Sequence, residues 1–259
     1  MNFTTLFLVL STVITATISS PAPACRPSKT TFTSSTTLGP AEAFVALSPS
    51  DTYELTDNGL ELHLQRPEGT VTTSKGVNDK LGDGATVNST FSFLYGKVTY
   101  EVEAPRVAGV ITAIILACEG DSHDEIDIEI LGGDPTHWQS NSYSPASSDT
   151  QPLWGVFSGV HSIGNSSTIS STHAYSVKWT ADSITWGIDG NDVRTLKKAD
   201  TIVNGSTHFP FKNPLLLSMG IWDASNPLGT SEWGKGPINW KEAPSKIAAV
   251  IKSVEVECS

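Results

Sequence analysis

The chain has 259 residues, 38% of them hydrophobic and 17% charged, with a formal net charge of -11 at pH 7. That balance sustains an ordinary folded core and excludes an intrinsically disordered chain. The acidic excess argues against nucleic acid or an anionic membrane as partner and is compatible with an uncharged polymer.

In chain order, residues 6–18 form an apolar run without charge, too short to span a bilayer comfortably, and Ala22-Pro23-Ala24 has the small-x-small pattern of a cleavage site. Residues 1–24 are therefore expected to be an export signal, although no Lys or Arg precedes the run. A single domain is expected over residues 25–259, with 25–40 an extended N-terminal arm. The tail Val256-Glu257-Cys258-Ser259 carries no hydrophobic anchor signal, so the expected product is secreted and unanchored, outside the cell or in its wall. Its three cysteines suggest one bridge. Cys25 and Cys258 bracket the mature chain and are expected to pair, because termini tend to lie close together; Cys118, in the apolar run 110–118, is expected to be a buried thiol. Sequons stand at Asn88, Asn165 and Asn204.

Short strand patterns follow one another at residues 60–66, 70–74, 86–93, 97–103 and 110–117, then at 173–180, 183–189, 215–222 and 247–257. Almost nothing has helical period, so an all-β sandwich is expected. Ala181-Asp182 and Asp189-Gly190 read as tight hairpin turns. The longer loops at 144–172 and 223–245 are where functional residues are expected.

Between these groups lies His123-Asp124-Glu125-Ile126-Asp127-Ile128-Glu129-Ile130-Leu131-Gly132. Alternation puts Glu125, Asp127 and Glu129 on one face of a strand and Ile126, Ile128 and Ile130 on the other. Like charges about 7 Å apart with no cation between them cost energy, so at least one carboxyl should keep its proton to higher pH. Glu125 and Glu129 are about 13 Å apart along the backbone, and inward-leaning side chains can bring their carboxyls to roughly 5 Å, the separation used by retaining glycosidases. Asp127 would hydrogen-bond one glutamate and repel charge on the other. These ten residues also fit a solvated strand face or a calcium-binding carboxylate cluster.

Three further stretches carry a resemblance: Phe93-Leu94-Tyr95-Gly96-Lys97-Val98, the acidic strand itself, and His173-Ala174-Tyr175-Ser176-Val177-Lys178-Trp179-Thr180 with Ile184-Thr185-Trp186-Gly187-Ile188-Asp189-Gly190. Together they resemble the family-sixteen glycoside hydrolases, over most of residues 86–257. The resemblance implies a curved antiparallel β-jelly-roll sandwich, similar to concanavalin A, with a substrate groove across its concave sheet. It also implies Glu125 as nucleophile, Asp127 as its assistant and Glu129 as acid/base. Gly220-Ile221-Trp222, Ser225-Asn226-Pro227-Leu228-Gly229-Thr230 and Glu232-Trp233 are similar to the substrate loop of the Crh-type transglycosylases of fungal walls, which join chitin to β-glucan. Ser218 stands where that group has a basic residue.

Trp222, Thr230, Trp233, Tyr95 and Asn141 are accordingly the expected sugar contacts, since an aromatic face suits the apolar face of a pyranose. Trp179 and Trp186, alternating within strands, are expected in the core, while Trp138 and Trp154 fit either role. No cofactor is expected, and no Cys/His/Asp spacing reads as a metal or phosphate site. The expected activity is a monomeric retaining enzyme on cell-wall β-glucan or chitin that passes a covalent glycosyl group to another sugar. The alternatives are an endo-β-1,3(4)-glucanase, which passes it to water, and a non-catalytic lectin on the same sandwich.

Overall fold

A computed structural model describes residues 24–118, 123–150, 153–164 and 166–258. The expected export signal, apart from Ala24, and the sequon residue Asn165 lie outside the described residues.

The elements in chain order are β1 (Ser28–Thr31), β2 (Phe44–Ala46), β3 (Tyr53–Thr56), β4 (Gly59–Gln65), β5 (Thr73–Ser74), β6 (Val77–Asn78), β7 (Ala85–Phe93), β8 (Gly96–Glu103), β9 (Val110–Ala117) and β10 (Glu125–Leu131). There follow β11 (His137–Tyr143), β12 (Gly159–Ser162), β13 (His173–Trp179), β14 (Ser183–Ile188), β15 (Asn191–Lys197), β16 (Ile202–Val203), β17 (Ser206–Thr207), β18 (Leu215–Asp223), the short helix α1 (Leu228–Trp233) and β19 (Lys246–Glu257). An eight-stranded sheet runs β15-β14-β13-β8-β19-β4-β3, with β1 also paired to β19, and a seven-stranded sheet runs β12-β11-β10-β9-β18-β7-β2. The strand ladders of both sheets are antiparallel among the described residues, which allows one face of each to meet the core and the other to meet solvent.

The core is where alternate side chains of the two sheets meet. Leu60, Leu62, Leu64, Val98, Tyr100, Val102, Val177, Trp179 and Trp186 come from the eight-stranded sheet and Val87, Ile114, Ile126, Ile128, Leu217 and Met219 from the other, all at 0% exposure. Interdigitated inward rows of this kind hold a sandwich together. Trp138, ambiguous in sequence, is also fully buried here, against Tyr175 and the His161 ring.

The two expected hairpins form for readable reasons. Between β13 and β14, the Thr180 hydroxyl accepts the Asp182 and Ser183 N–H groups, and the Thr180 N–H donates to Ser183 O at 2.9 Å. Between β14 and β15, Asp189 (φ 50°) and Gly190 (φ 78°) both adopt positive φ, the type I′ geometry that matches strand twist.

As expected, Cys25 and Cys258 are bonded, with their Cα atoms 5.6 Å apart. Several other expectations change. The first part of the expected N-terminal arm is a strand, β1, in register Ser28↔Val256 to Thr31↔Ser253. Cys118, one residue past the end of β9, packs against the core but is half-buried rather than buried. The pattern at 70–74 yields only the two-residue β5. Asn88 lies mid-strand in β7 between Val45 and Ser218, with its amide oxygen buried and unpartnered among the described residues, whereas Asn204 is exposed at the β16–β17 turn. Among the described residues no helix is long and apolar enough to cross a membrane.

Candidate active site

Strand β10 is the floor of the site. Ile126, Ile128 and Ile130 are 0–1% exposed in the core, which forces Glu125, Asp127 and Glu129 onto the opposite, outer face of the seven-stranded sheet. The Trp186 indole, from the other sheet, donates to the Asp127 carbonyl at 3.0 Å and ties the strand to the core directly beneath the acids. On the neighbouring strand β11, Tyr143, Asn141 and Gln139 stand opposite Glu125, Asp127 and Glu129 respectively.

These residues line a groove of about 710 Å³ together with Trp154, Gly155, Ser158, Val160, Trp222, Thr230, Trp233 and Lys235. Four of the five expected sugar contacts, Trp222, Thr230, Trp233 and Asn141, are therefore gathered around the acids. Trp222 and Trp233 stack with ring centroids 5.9 Å apart at 18°, and the Trp233 indole donates to Gln139 Oε1 at 3.0 Å. Both rings rest on a small apolar cluster of Ile111, Leu131 and Ala224 that is separate from the main core.

Tyr95 is not part of the groove. At the turn between β7 and β8 its backbone has φ 65°, and its ring packs edge-on against Trp179 at 5.0 Å while its hydroxyl donates to Phe211 O at 2.8 Å. The turn sends this side chain to the end of the sandwich, away from the acids. Two lining aromatics were not among the expected contacts: Tyr143, whose place in the Gln139-Asn141-Tyr143 alternation is a usable signal, and Trp154, which sits in a long loop with no periodicity to place it.

The loops that hold α1 are fixed from below. Buried Asp223 accepts hydrogen bonds from the Gly82 N–H, the Ser225 N–H and the Trp240 indole, and the Ser231 hydroxyl donates to Gly76 O. Trp233 at the end of α1 is thereby kept over Gln139.

The three acids differ in environment. Asp127, 3% exposed, is pushed well above the usual carboxylate range, first by burial, then by the charge of Glu125, to which it donates a hydrogen bond, and by Glu129; the Asn141 amide opposes the shift. Glu129 is raised to about 7, by burial first and by the charge of Glu125 second. From sequence, the charge of Asp127 is expected to help keep Glu129 protonated. In the structure Asp127 is the more buried acid and is itself raised, and what raises Glu129 is burial first and the charge of Glu125 second. One carboxyl oxygen of Asp127 and the Asn141 amide oxygen are buried without a partner among the described residues, leaving acceptors beside the groove.

Among the described residues no other cluster offers comparable chemistry. In a cavity of about 760 Å³ at His123 and Asp124, the Asp124 carboxylate already accepts from the Ser144 hydroxyl and the Asn213 amide. On the eight-stranded sheet the ligand atoms of Glu54, Glu61 and His63 lie within 4.8 Å of one another, but His63 already meets Glu61 and Lys246 lies 3.8 Å from Glu54.

An outward row of three acids on a core strand, flanked by stacked tryptophans on a two-sheet antiparallel sandwich, matches a known family. The family model of glycosyl hydrolases family 16 aligns with residues 41–242. The chain belongs to that family. Among its members it is 35% identical over 217 residues to Crh-like protein 5 of Aspergillus fumigatus, an alignment that covers 83% of this chain and 50% of that protein. It is 32% identical over 265 residues to Crh-like protein CRH11 of Candida albicans, covering 99% of this chain and 53% of that one. The chain thus spans about half the length of these relatives. Among solved structures, apo Crh5 transglycosylase superposes with a TM-score of 0.70 at 26% identity, covering 92% of this chain and 89% of that one. The family-16 chain is a jelly-roll sandwich, as the resemblance implied.

Proposed function

We propose that the protein is a secreted retaining transglycosylase that cuts a cell-wall β-glucan or chitin chain and joins the released glycosyl group to another sugar. The observation that carries this reading is the row Glu125, Asp127, Glu129 on one groove face, with Glu129 raised to about 7 beside Glu125. A lectin has no use for such a row, whose repulsion and burial lower stability.

In the first step the Glu125 carboxylate attacks the anomeric carbon while Glu129 gives its proton to the departing glycosidic oxygen. Asp127, protonated, steadies Glu125 through the hydrogen bond it donates; as the ester forms Glu125 loses its charge, and Glu129, having given up its proton, carries the one negative charge instead. In the second step Glu129, now ionised, takes the proton of an acceptor hydroxyl, whose oxygen attacks the anomeric carbon and frees Glu125. Water competes for that step, and a sugar prevails only through binding energy, which the stacked Trp222 and Trp233 beside Glu129 supply. The relatives named as Crh-like proteins, and the solved Crh5 transglycosylase, support transfer over hydrolysis. We take the polysaccharide as the partner and the monomer as the working state.

Incubation with labelled chitin and β-glucan oligosaccharides tests the reading. Products longer than the donor are expected; shorter products alone would make the enzyme a hydrolase.

A further inference from the structure

The groove holds a second aromatic stack, away from the Trp222–Trp233 pair. Trp154 lies on Tyr143 with ring centroids 4.4 Å apart and 20° between planes, and both line the groove with the three acids. Trp154 is nevertheless 69% exposed, and the neighbouring groove residue Val160 is 61% exposed. An indole left so open is large apolar surface facing water, yet the chain around it is firmly built. Phe157, 8% exposed, inserts into the core; the Ser158 hydroxyl donates to Gly155 O at 2.7 Å and closes the turn. Arg194, reaching from β15, donates to Phe157 O at 2.5 Å and to the Ser140 hydroxyl at 2.8 Å while its guanidinium covers the Trp186 ring at 4.8 Å. The segment 155–158 that follows the ring is anchored and the ring is presented. A pre-organised exposed aromatic of this kind fits a ligand with an apolar face and loses little entropy on binding it.

Its place along the floor says which part of the ligand. Tyr143 pairs with Glu125 in the β10–β11 ladder, whereas Gln139, which holds Trp233, pairs with Glu129. The two stacks are thus offset by four strand residues, about 13 Å, with Asp127 between them. On the proposed reading Glu125 carries the glycosyl group and Glu129 serves the departing and the accepting sugars.

We propose that Tyr143 and Trp154 form a sugar-binding platform for the donor, holding a pyranose of the β-linked chain on the side that stays attached to Glu125. This rests on the transglycosylase reading of the same groove. The platform makes the donor's requirement for length a property of the loop after β11, separate from recognition of the acceptor at Trp222 and Trp233.

The test is a two-substrate transfer assay on the full chain, with a β-glucan or chitin oligosaccharide as donor and a fluorescently labelled oligosaccharide as acceptor. Trp154→Ala is expected to raise the donor KM about tenfold. The acceptor KM and the melting temperature should stay at wild-type values, and Trp154→Phe should recover most of the donor affinity. An unchanged donor KM in Trp154→Ala, or a rise in the acceptor KM instead, would overturn the platform while leaving transfer intact. A wild-type protein that transforms no donor would overturn the reading of the groove itself.

Discussion

At the scale of single residues, the decisive quantity is where Glu129 keeps its proton. Raised to about 7 by burial and by Glu125, it holds its proton below that pH, and on the proposed reading it is then the acid, so the basic limb of the kcat/KM profile is expected near 7. Glu129→Gln should lower the rate on oligosaccharide donors by about 10² or more while sparing a glycosyl fluoride, which departs without protonation. The same shift has a sign in stability. Glu129 binds its proton more tightly folded than unfolded, so between the unfolded value of about 4.3 and the folded value of about 7 stability declines as pH rises. At pH 8 Glu129→Gln should therefore unfold at a higher temperature than wild type, by an amount of order 1 kcal/mol after allowance for a side chain that is only partly buried. At pH 4 the two should unfold alike. Asp127→Asn separates the two accounts of that residue: lower activity with the basic limb still near 7 fits a protonated Asp127 that steadies Glu125, whereas a limb displaced to lower pH would restore the charge that the sequence argument gave it.

At the scale of elements, legibility followed the contrast between faces. β9, read from sequence as 110–117, has those bounds in the structure, and β10 shows the predicted division of acids and isoleucines. β11 was missed because His137-Trp138-Gln139-Ser140-Asn141-Ser142-Tyr143 is polar on both faces. Its inward serines are satisfied locally, Ser140 by His161 and Arg194 and Ser142 by Glu125 O, so a strand forms without the apolar row that sequence reading looks for. β15 was missed for a related reason: it is an edge strand with exposed and half-buried residues and only Leu196 buried. The acidic row was thus readable from one strand, while Gln139 and Tyr143 depended on a strand without a continuous apolar row and Trp154 on a loop with no periodicity. Trp222 shows the limit of assigning a side chain to groove or core, since it lines the groove and also lies on Ile111, Leu131 and Ala224. Trp222→Ala should weaken oligosaccharide binding and also cost about 1–2 kcal/mol of stability, less than the 3–5 kcal/mol typical of a fully buried tryptophan. Calorimetry of binding and of unfolding on the one variant reads both effects. A melting temperature equal to wild type would mean that the cluster beneath does not depend on the ring.

At the scale of the whole molecule, the work is divided between the sheets. The seven-stranded sheet carries the groove; the eight-stranded sheet closes the chain on itself, with β1 laid along the end of β19 and Cys25 bonded to Cys258 across 233 residues of sequence. A bond closing so long a loop restricts the unfolded chain strongly, by about 5.5 kcal/mol in the loop-entropy account, with measured values commonly smaller, about 2–4 kcal/mol. Three facts argue that the restriction bears on stability and hardly on catalysis. The four-residue ladder between β1 and β19 is hydrogen-bonded independently of the bond; β19 keeps β4 and β8 as partners if β1 frays; and the bond joins the residues just before β1 and just after β19, strands of the sheet opposite the groove. The double variant Cys25→Ser, Cys258→Ser should therefore melt some 5–15 °C below the oxidised protein, from about 2–4 °C per kcal/mol at this chain length. Its kcat and both KM values, measured 20 °C below its own melting temperature, should match wild type. A variant that melts as wild type does would show that β1 alone holds the ends. One that keeps its stability range yet loses transfer activity would mean that the pairing of the termini shapes the groove through the core, from Val254 and Val256 on β19 to the isoleucines beneath the acids.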